Sequence, residues 1–294
     1  MHRFVLATVL ACAFAAPAHA NDEKPPEKDG AARWSVSVAG GATVIDDGGD
    51  QPFGRIGLTR LLGDGYVRAS LTHFSTRDGA GLIDAVPATT WQVSLGGGYG
   101  FGALAIHGYG AIGWRNFQQE AYRRRSGTGI IIDSQGKTLS GGLSLNYTIP
   151  LDERSVLSPF VAGDIGRIDT ARAIEVIGRG TIAQKERQNS KTASLGLTVD
   201  RLVGASSQHR IEAYGGFVTT SNSAVAIRNS APIEAARLFG PLEIPGSKDS
   251  WAEYGASASF RLSEPLRLDV SAVRTAGYRG GEATSLYAGM RFRF

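Results

Sequence analysis

The sequence predicts an all-β protein: a closed, antiparallel, up-and-down transmembrane β-barrel of about twelve strands. Three observations predict it. The chain ends on Thr284-Ser-Leu-Tyr-Ala-Gly-Met-Arg-Phe-Arg-Phe294, in which Leu286, Ala288, Met290, Phe292 and Phe294 alternate without a break with Tyr287, Gly289, Arg291 and Arg293. Successive side chains of a strand point to opposite faces, so one face is apolar and the other polar, and a lipid-facing barrel strand has that pattern. Segments of the same kind recur along the chain, and short connections alternate with long ones, as the two ends of a membrane barrel require. Finally, beyond the first twenty residues no stretch reaches the roughly 18 apolar residues of a membrane helix.

The elements follow in order. Met1-His-Arg3, an apolar run to Ala16 and Pro17-Ala-His-Ala20 read as a secretory signal peptide over 1–20, with cleavage after Ala20. Val9-Leu-Ala-Cys12 faintly resembles a lipoprotein site, but Leu10 fits it poorly. Cys12 is the one cysteine in the sequence, so the mature chain is expected to have no disulfide and no thiol chemistry. Residues 21–32, with Pro25-Pro26 and charges of both signs, read as a short flexible leader, and the barrel is expected over 33–294.

Strands are expected over about 34–44, 53–62, 66–76 and 91–99, the last with Trp91, Val93, Leu95, Gly97 and Tyr99 outward. The next has Leu104, Ile106, Ile112 and Trp114 outward, and its successor Leu139, Leu143, Leu145, Tyr147 and Ile149. Further strands cover 156–168, the alternation Ala193 to Val199, and Ile211 to Phe217. Tyr254 to Leu262, Leu266 to Val270 and the C-terminal segment complete the set. Short turns are expected at 62–65, 100–102, 150–155, 203–208 and 263–265, and long loops at 77–88, 117–136, 170–190 and 222–249, with 45–52 and 278–283 in long-side positions. With an even strand count both termini lie on the short-turn side, the periplasmic side of such barrels. Trp91, Tyr99, Trp114, Tyr147, Tyr254 and Phe294 sit near strand ends, as interfacial aromatics do.

The sequence contains 39 glycines, many inside these alternating segments, which suits a curved sheet whose strands approach closely. The formal charge of +4 falls by one without Arg3, and the pI near 9.3 suits acidic neighbours such as lipid phosphates. No His, Cys and acid cluster has metal-ligand spacing, no glycine-rich loop opens a helix, and nothing points to a cofactor or to nucleic acid.

In Leu139-Ser-Gly-Gly-Leu-Ser-Leu-Asn-Tyr147, Leu157-Ser-Pro-Phe-Val161 and the ending Tyr287-Ala-Gly-Met-Arg-Phe-Arg-Phe294, the chain resembles the autotransporter β-domain family over about 33–294. The resemblance implies a twelve-stranded outer-membrane barrel, export by a signal peptide, and a C-terminal signal here formed by Tyr287, Phe292 and Phe294 for the barrel-assembly machinery. Family members carry a secreted passenger joined by a helix through the pore. Only 21–32 precede the first strand here, and Pro25-Pro26 breaks a helix. A barrel without cargo is therefore expected, without passenger secretion or self-cleavage.

Projected inward, the alternation places Arg68, Gln92, His107, Tyr109, Arg115 and Asn146 in the lumen, together with Asp164, Asp200, Glu212, Glu253, Asp269, Arg291 and Arg293. A hairpin symmetric about 278–283 would set Asp269 nearly opposite Arg293. Two uses of this lining stay open: structural ion pairs, or a path that attracts small or acidic solutes. Loop 222–249 is the candidate plug: a short helix expected at 232–239 clusters Ile233, Ala236, Leu238 and Phe239 on a face that would either dock into the mouth or pack over the rim. Arg123-Arg-Arg125 lies in an expected external loop, either as a solvated tip or facing lipopolysaccharide phosphates. His73 and Ser75 share a face near a strand end, as in some outer-membrane lipid hydrolases, but nothing nearby orients the imidazole. The expected role is non-enzymatic: pore, scaffold or surface module, with a solute channel and then a lipid hydrolase as alternatives.

Overall fold

The computed structural model describes residues 34–46, 50–76, 88–123, 129–204, 208–222, 248–278 and 281–294. The signal peptide and leader, Arg124 and Arg125, and the plug helix expected at 232–239 lie outside the described residues.

The described chain is built of strands: β1 (Trp34–Ile45), β2 (Gln51–Leu62), β3 (Gly65–Thr76), β4 (Ala88–Phe101), β5 (Leu104–Phe117), β6 (Glu120–Arg123) and β7 (Gly129–Tyr147). They continue as β8 (Ile149–Pro150), β9 (Ser155–Val176), β10 (Gly180–Val203), β11 (His209–Thr220), β12 (Asp249–Arg261), β13 (Leu266–Ala276) and β14 (Ala283–Arg293). Two of these, β6 and β8, are short annexes on β7 and β9. The other twelve form one antiparallel ring, each paired with its chain neighbours, closed where β1 pairs with β14. Closure removes the sheet edge that lipid would leave without hydrogen-bond partners. The first and last described residues share in it, since the Trp34 amide donates to the Phe294 carbonyl at 3.1 Å and the Phe294 amide to the Trp34 carbonyl at 3.0 Å.

All twelve expected strands are present, and three of the short turns use a glycine with a left-handed backbone, Gly63 (φ 61°), Gly102 (φ 65°) and Gly204 (φ 93°). These turns, with Trp34 and Phe294, form one rim (the terminal rim), and the opposite strand ends form the other (the loop rim). The expected loops at 117–136 and 170–190 need correction. The second is continuous ladder: β9 and β10 run for 22 and 24 residues and turn only at 177–179. β6 and the first half of β7 join them in a four-stranded extension beyond the loop rim. A membrane crossing takes about ten residues, so half of each long strand stands outside it. The alternation fades there because Lys185, Glu186, Arg187, Gln188 and Asn189 put polar groups on both faces. The row Ile132–Ile174–Ile182 in direct register holds the extension together on the axial side.

Outward residues form the apolar band. Leu95, Leu143, Ile165, Leu195 and Leu286 are exposed, as are the expected aromatics Trp91, Tyr99, Trp114, Tyr147, Tyr254 and Phe294. The inner wall holds a core absent from the expected lumen list: Phe53, Phe74, Phe160, Tyr214 and Tyr287, with Ala39 and Val273. Inward glycines give these rings room. A Cβ on Gly196 would clash with the Gly215 carbonyl oxygen and lie 2.7 Å from the Phe160 ring, and one on Gly41 would meet the Phe53 ring at 2.6 Å. The glycine richness therefore serves large side chains laid flat on the wall of the next strand. Gly196→Val should destabilise the barrel by about 1–3 kcal/mol through overpacking. Its folded band on unheated gels should lose resistance to urea, and an unshifted midpoint would show that both the Phe160 ring and the β11 backbone at Gly215 give way freely.

Candidate functional site: the charged inner wall

Every expected lumen residue lies on strands at inward positions, and the buried ones are Arg115, Asn146, Asp164, Asp200, Glu212, Glu253 and Asp269. Several are held by other side chains of the wall, and two of these contacts reach across a glycine of the intervening strand, Gly142 or Gly98. The Tyr109 hydroxyl donates to the Asp164 carboxylate at 2.9 Å. His107 sits between the Tyr66 hydroxyl at 3.2 Å and the Asn146 amide at 3.4 Å. Arg68 donates to the Thr59 hydroxyl at 2.9 Å, and Arg115 lies 4.6 Å from the Phe117 ring centre. Toward the loop rim, the Trp251 indole donates to Glu253 at 2.7 Å, both only 1% exposed. Gln92 is inward on β4, opposite Thr72.

The Asp269–Arg293 expectation is corrected. The last hairpin pairs Leu266 with Phe292 and Asp269 with Gly289, so the guanidinium that reaches Asp269 is that of Arg291, at 3.4 Å. Arg293 lies beyond, opposite Ser35 and with its amide on the Pro265 carbonyl. The residues after Arg274 take up a different share of the turn from that assumed for a symmetric loop, and the register slides by that amount.

Three arginines outside the expected list shape the terminal half of the lumen. Asp200 and Glu212 are directly opposite across β10 and β11, and Arg210 reaches both: its Nε donates to Asp200 at 2.7 Å, and its other nitrogen lies 3.7 Å from Glu212. Arg261 and Arg267 are directly opposite on β12 and β13, and Arg267 is directly opposite Arg291 on β14. Like charges in that position, with Cβ atoms about 5 Å apart, repel. With Arg293 one step nearer the rim, they give the inner wall a cationic segment across three adjacent strands. The alternation implied these inward positions, because Phe260, Leu262, Leu266 and Leu268 point out. Their proximity to turns, where the pattern stops, hid them.

His73 and Ser75 do share a face, and it is the outer one, since Thr72 and Phe74 are buried inward. His73 packs on Trp91, ring centres 4.5 Å apart, and among the described residues it has no hydrogen bond to Ser75. Of the expected assembly residues, Phe292 and Phe294 lie outside with stacked rings 6.2 Å apart, whereas Tyr287 points inward against Phe53.

An antiparallel ring that is apolar outside and charged inside is a transmembrane barrel of the outer-membrane type. The family model for the autotransporter β-domain matches residues 65–273, more than half of the chain, and the chain belongs to that family. Among solved structures it is similar to the translocator domain of the autotransporter NalP from Neisseria meningitidis, at 12% identity and a TM-score of 0.65, over 91% of this chain and 90% of that one. It is also similar to the β-domain of the Bordetella autotransporter BrkA, at 16% identity and a TM-score of 0.62, over 89% and 98% of the two chains. Comparison with curated proteins finds no match. The protein is thus a translocator-like β-barrel of the bacterial outer membrane.

Proposed function

We propose that this barrel works without catalysis, as an outer-membrane pore and scaffold that carries a β-sheet platform on its loop rim. The observation that carries this reading is the extension of β6, β7, β9 and β10, which projects beyond the apolar band. Export by the signal peptide, insertion by the barrel-assembly machinery and periplasmic termini complete the proposal. They rest on the family and on the short turns gathered at the terminal rim. Phe292 and Phe294, outward and adjacent, suit the assembly signal.

The cationic segment Arg261–Arg267–Arg291–Arg293 favours a second reading, a path for small anionic solutes with Arg68, His107 and Arg115 further along the wall. Planar-bilayer conductance of the full-length protein tests both. A steady current that favours anions supports the solute path, a steady unselective current supports the pore alone, and a silent membrane with proven folding overturns the pore and leaves only the scaffold. Opposed to catalysis is the ring contact that His73 makes with Trp91 on the lipid face. Ser75→Ala is expected to leave any phospholipid hydrolysis at background, and hydrolysis that this change removes would reinstate the lipid-hydrolase alternative.

A further inference from the structure

On three consecutive barrel strands the first outward residue above the apolar band is a cation. Lys137 stands above Leu139 on β7, Arg167 above Ile165 on β9, and Lys191 above Ala193 on β10. Lys137 to Arg167 and Arg167 to Lys191 are diagonal cross-strand neighbours, with about 7–8 Å between Cα atoms. One step higher, Arg187 adds a fourth cation, 60% exposed, whose Nε lies 2.6 Å from Asp169. The Arg167 guanidinium holds the same carboxylate at 2.6 Å, and Lys137 is directly opposite it. Three cations thus surround one carboxylate, and Lys191 extends the row toward the apolar band. The amide of Lys191 is tied to the Ser221 hydroxyl at 2.9 Å, which fixes the corner beside β11. Below lie Leu139, Leu143, Ile165 and Leu195, exposed and shaped for acyl chains. The corresponding residues are Asn116 on β5, Thr219 on β11 and Ser250 on β12, and on β13 a single cation, Arg274, which is held by two carboxylates, Asp46 and Glu282.

We propose that the outer face of β7, β9 and β10 binds the phosphates of lipid A, a phosphorylated and acylated glycolipid, through Lys137, Arg167, Arg187 and Lys191. Arginine suits phosphate by its paired donors, and lysine adds charge at a variable distance. Asp169 holds two guanidinium groups in place and competes with the incoming phosphate for them. The site rests on the proposed orientation, in which the loop rim faces outward where lipid A is found.

The test is native mass spectrometry of the full-length protein in detergent, with purified lipid A, enzymatically dephosphorylated lipid A, phosphatidylglycerol and inorganic phosphate as separate probes. Lipid A should be retained at least about tenfold better than its dephosphorylated form. Lys137→Gln, Arg167→Gln and Lys191→Gln combined should erase that preference, while Arg60→Gln with Arg201→Gln, outward cations at the terminal rim, should leave it intact. Asp169→Asn should tighten lipid A binding, an effect opposite to the loss of a merely structural ion pair. Equal retention in the triple variant, equal binding of the dephosphorylated lipid, or binding of inorganic phosphate alone would each overturn the site. Labelling of Arg179→Cys by an impermeant maleimide in intact cells tests orientation separately. Failure to label would overturn the orientation without touching the lipid data.

Discussion

Arg210→Met will lower the folding stability of the barrel by about 3–5 kcal/mol, the cost of removing one member of a buried charge cluster. The reason is register: Asp200 and Glu212 are directly opposite on β10 and β11, both buried, and Arg210 lies against each of them. Removing the guanidinium leaves two like charges across one ladder step, where direct opposition destabilises a sheet. Arg210→Lys should recover only part of the loss, because an ammonium lacks the paired geometry that reaches two carboxylates. Neutralising the acids as well, with Asp200→Asn and Glu212→Gln, should bring Arg210→Met back toward the wild type. The measurement is the urea midpoint of the folded band in detergent. A shift below 1 kcal/mol in the single variant would mean that lumen water already screens the cluster.

The second large effect concerns ion selectivity. Arg267→Glu with Arg291→Glu should reverse an anion preference and change the permeability ratio by at least roughly tenfold. A permeating ion about 5 Å from a unit charge in a water-filled lumen feels about 1 kcal/mol, and the substitution changes the sign of that interaction at two positions. Arg291 also reaches Asp269, so its reversal removes an ion pair, and Arg267→Gln alone provides a milder comparison. That variant should weaken the preference without reversing it. Unchanged reversal potentials in both variants, with conductance intact, would eliminate the arginine segment as a selectivity element.

Much of the architecture was legible in the residues. Outward positions such as Leu286, Met290, Phe292 and Trp114 declare themselves by alternation, because a lipid-facing strand has no other way to satisfy both solvents. The inner wall was less legible. Glu212, Asp164 and Glu253 were found by parity, but Phe53, Phe160 and Tyr287 look like ordinary aromatics in a chain that needs them at the interface as well. What moves them inside is parity combined with a glycine on the facing strand, and that partner is known only from register. The extension of β9 and β10 escaped for a different reason. Outside the membrane a strand needs no apolar face, and Thr181–Ser190 carries polar side chains on both sides of a continuous ladder.

The sequence by itself determined the strand count, the face on which each strand meets lipid, and the rim on which the short turns gather. These follow from a period of two and from glycine and proline placement, which are local properties. Only the tertiary structure decided which charges meet: Asp269 with Arg291 and not Arg293, Asp200 and Glu212 around Arg210, and Arg261, Arg267 and Arg291 in one row. The physical reason is that a slip of one or two residues in a ladder leaves local strand signals almost unchanged, yet replaces every cross-strand neighbour. Register is set by the ring as a whole, where each strand must satisfy two partners and the last must close on the first.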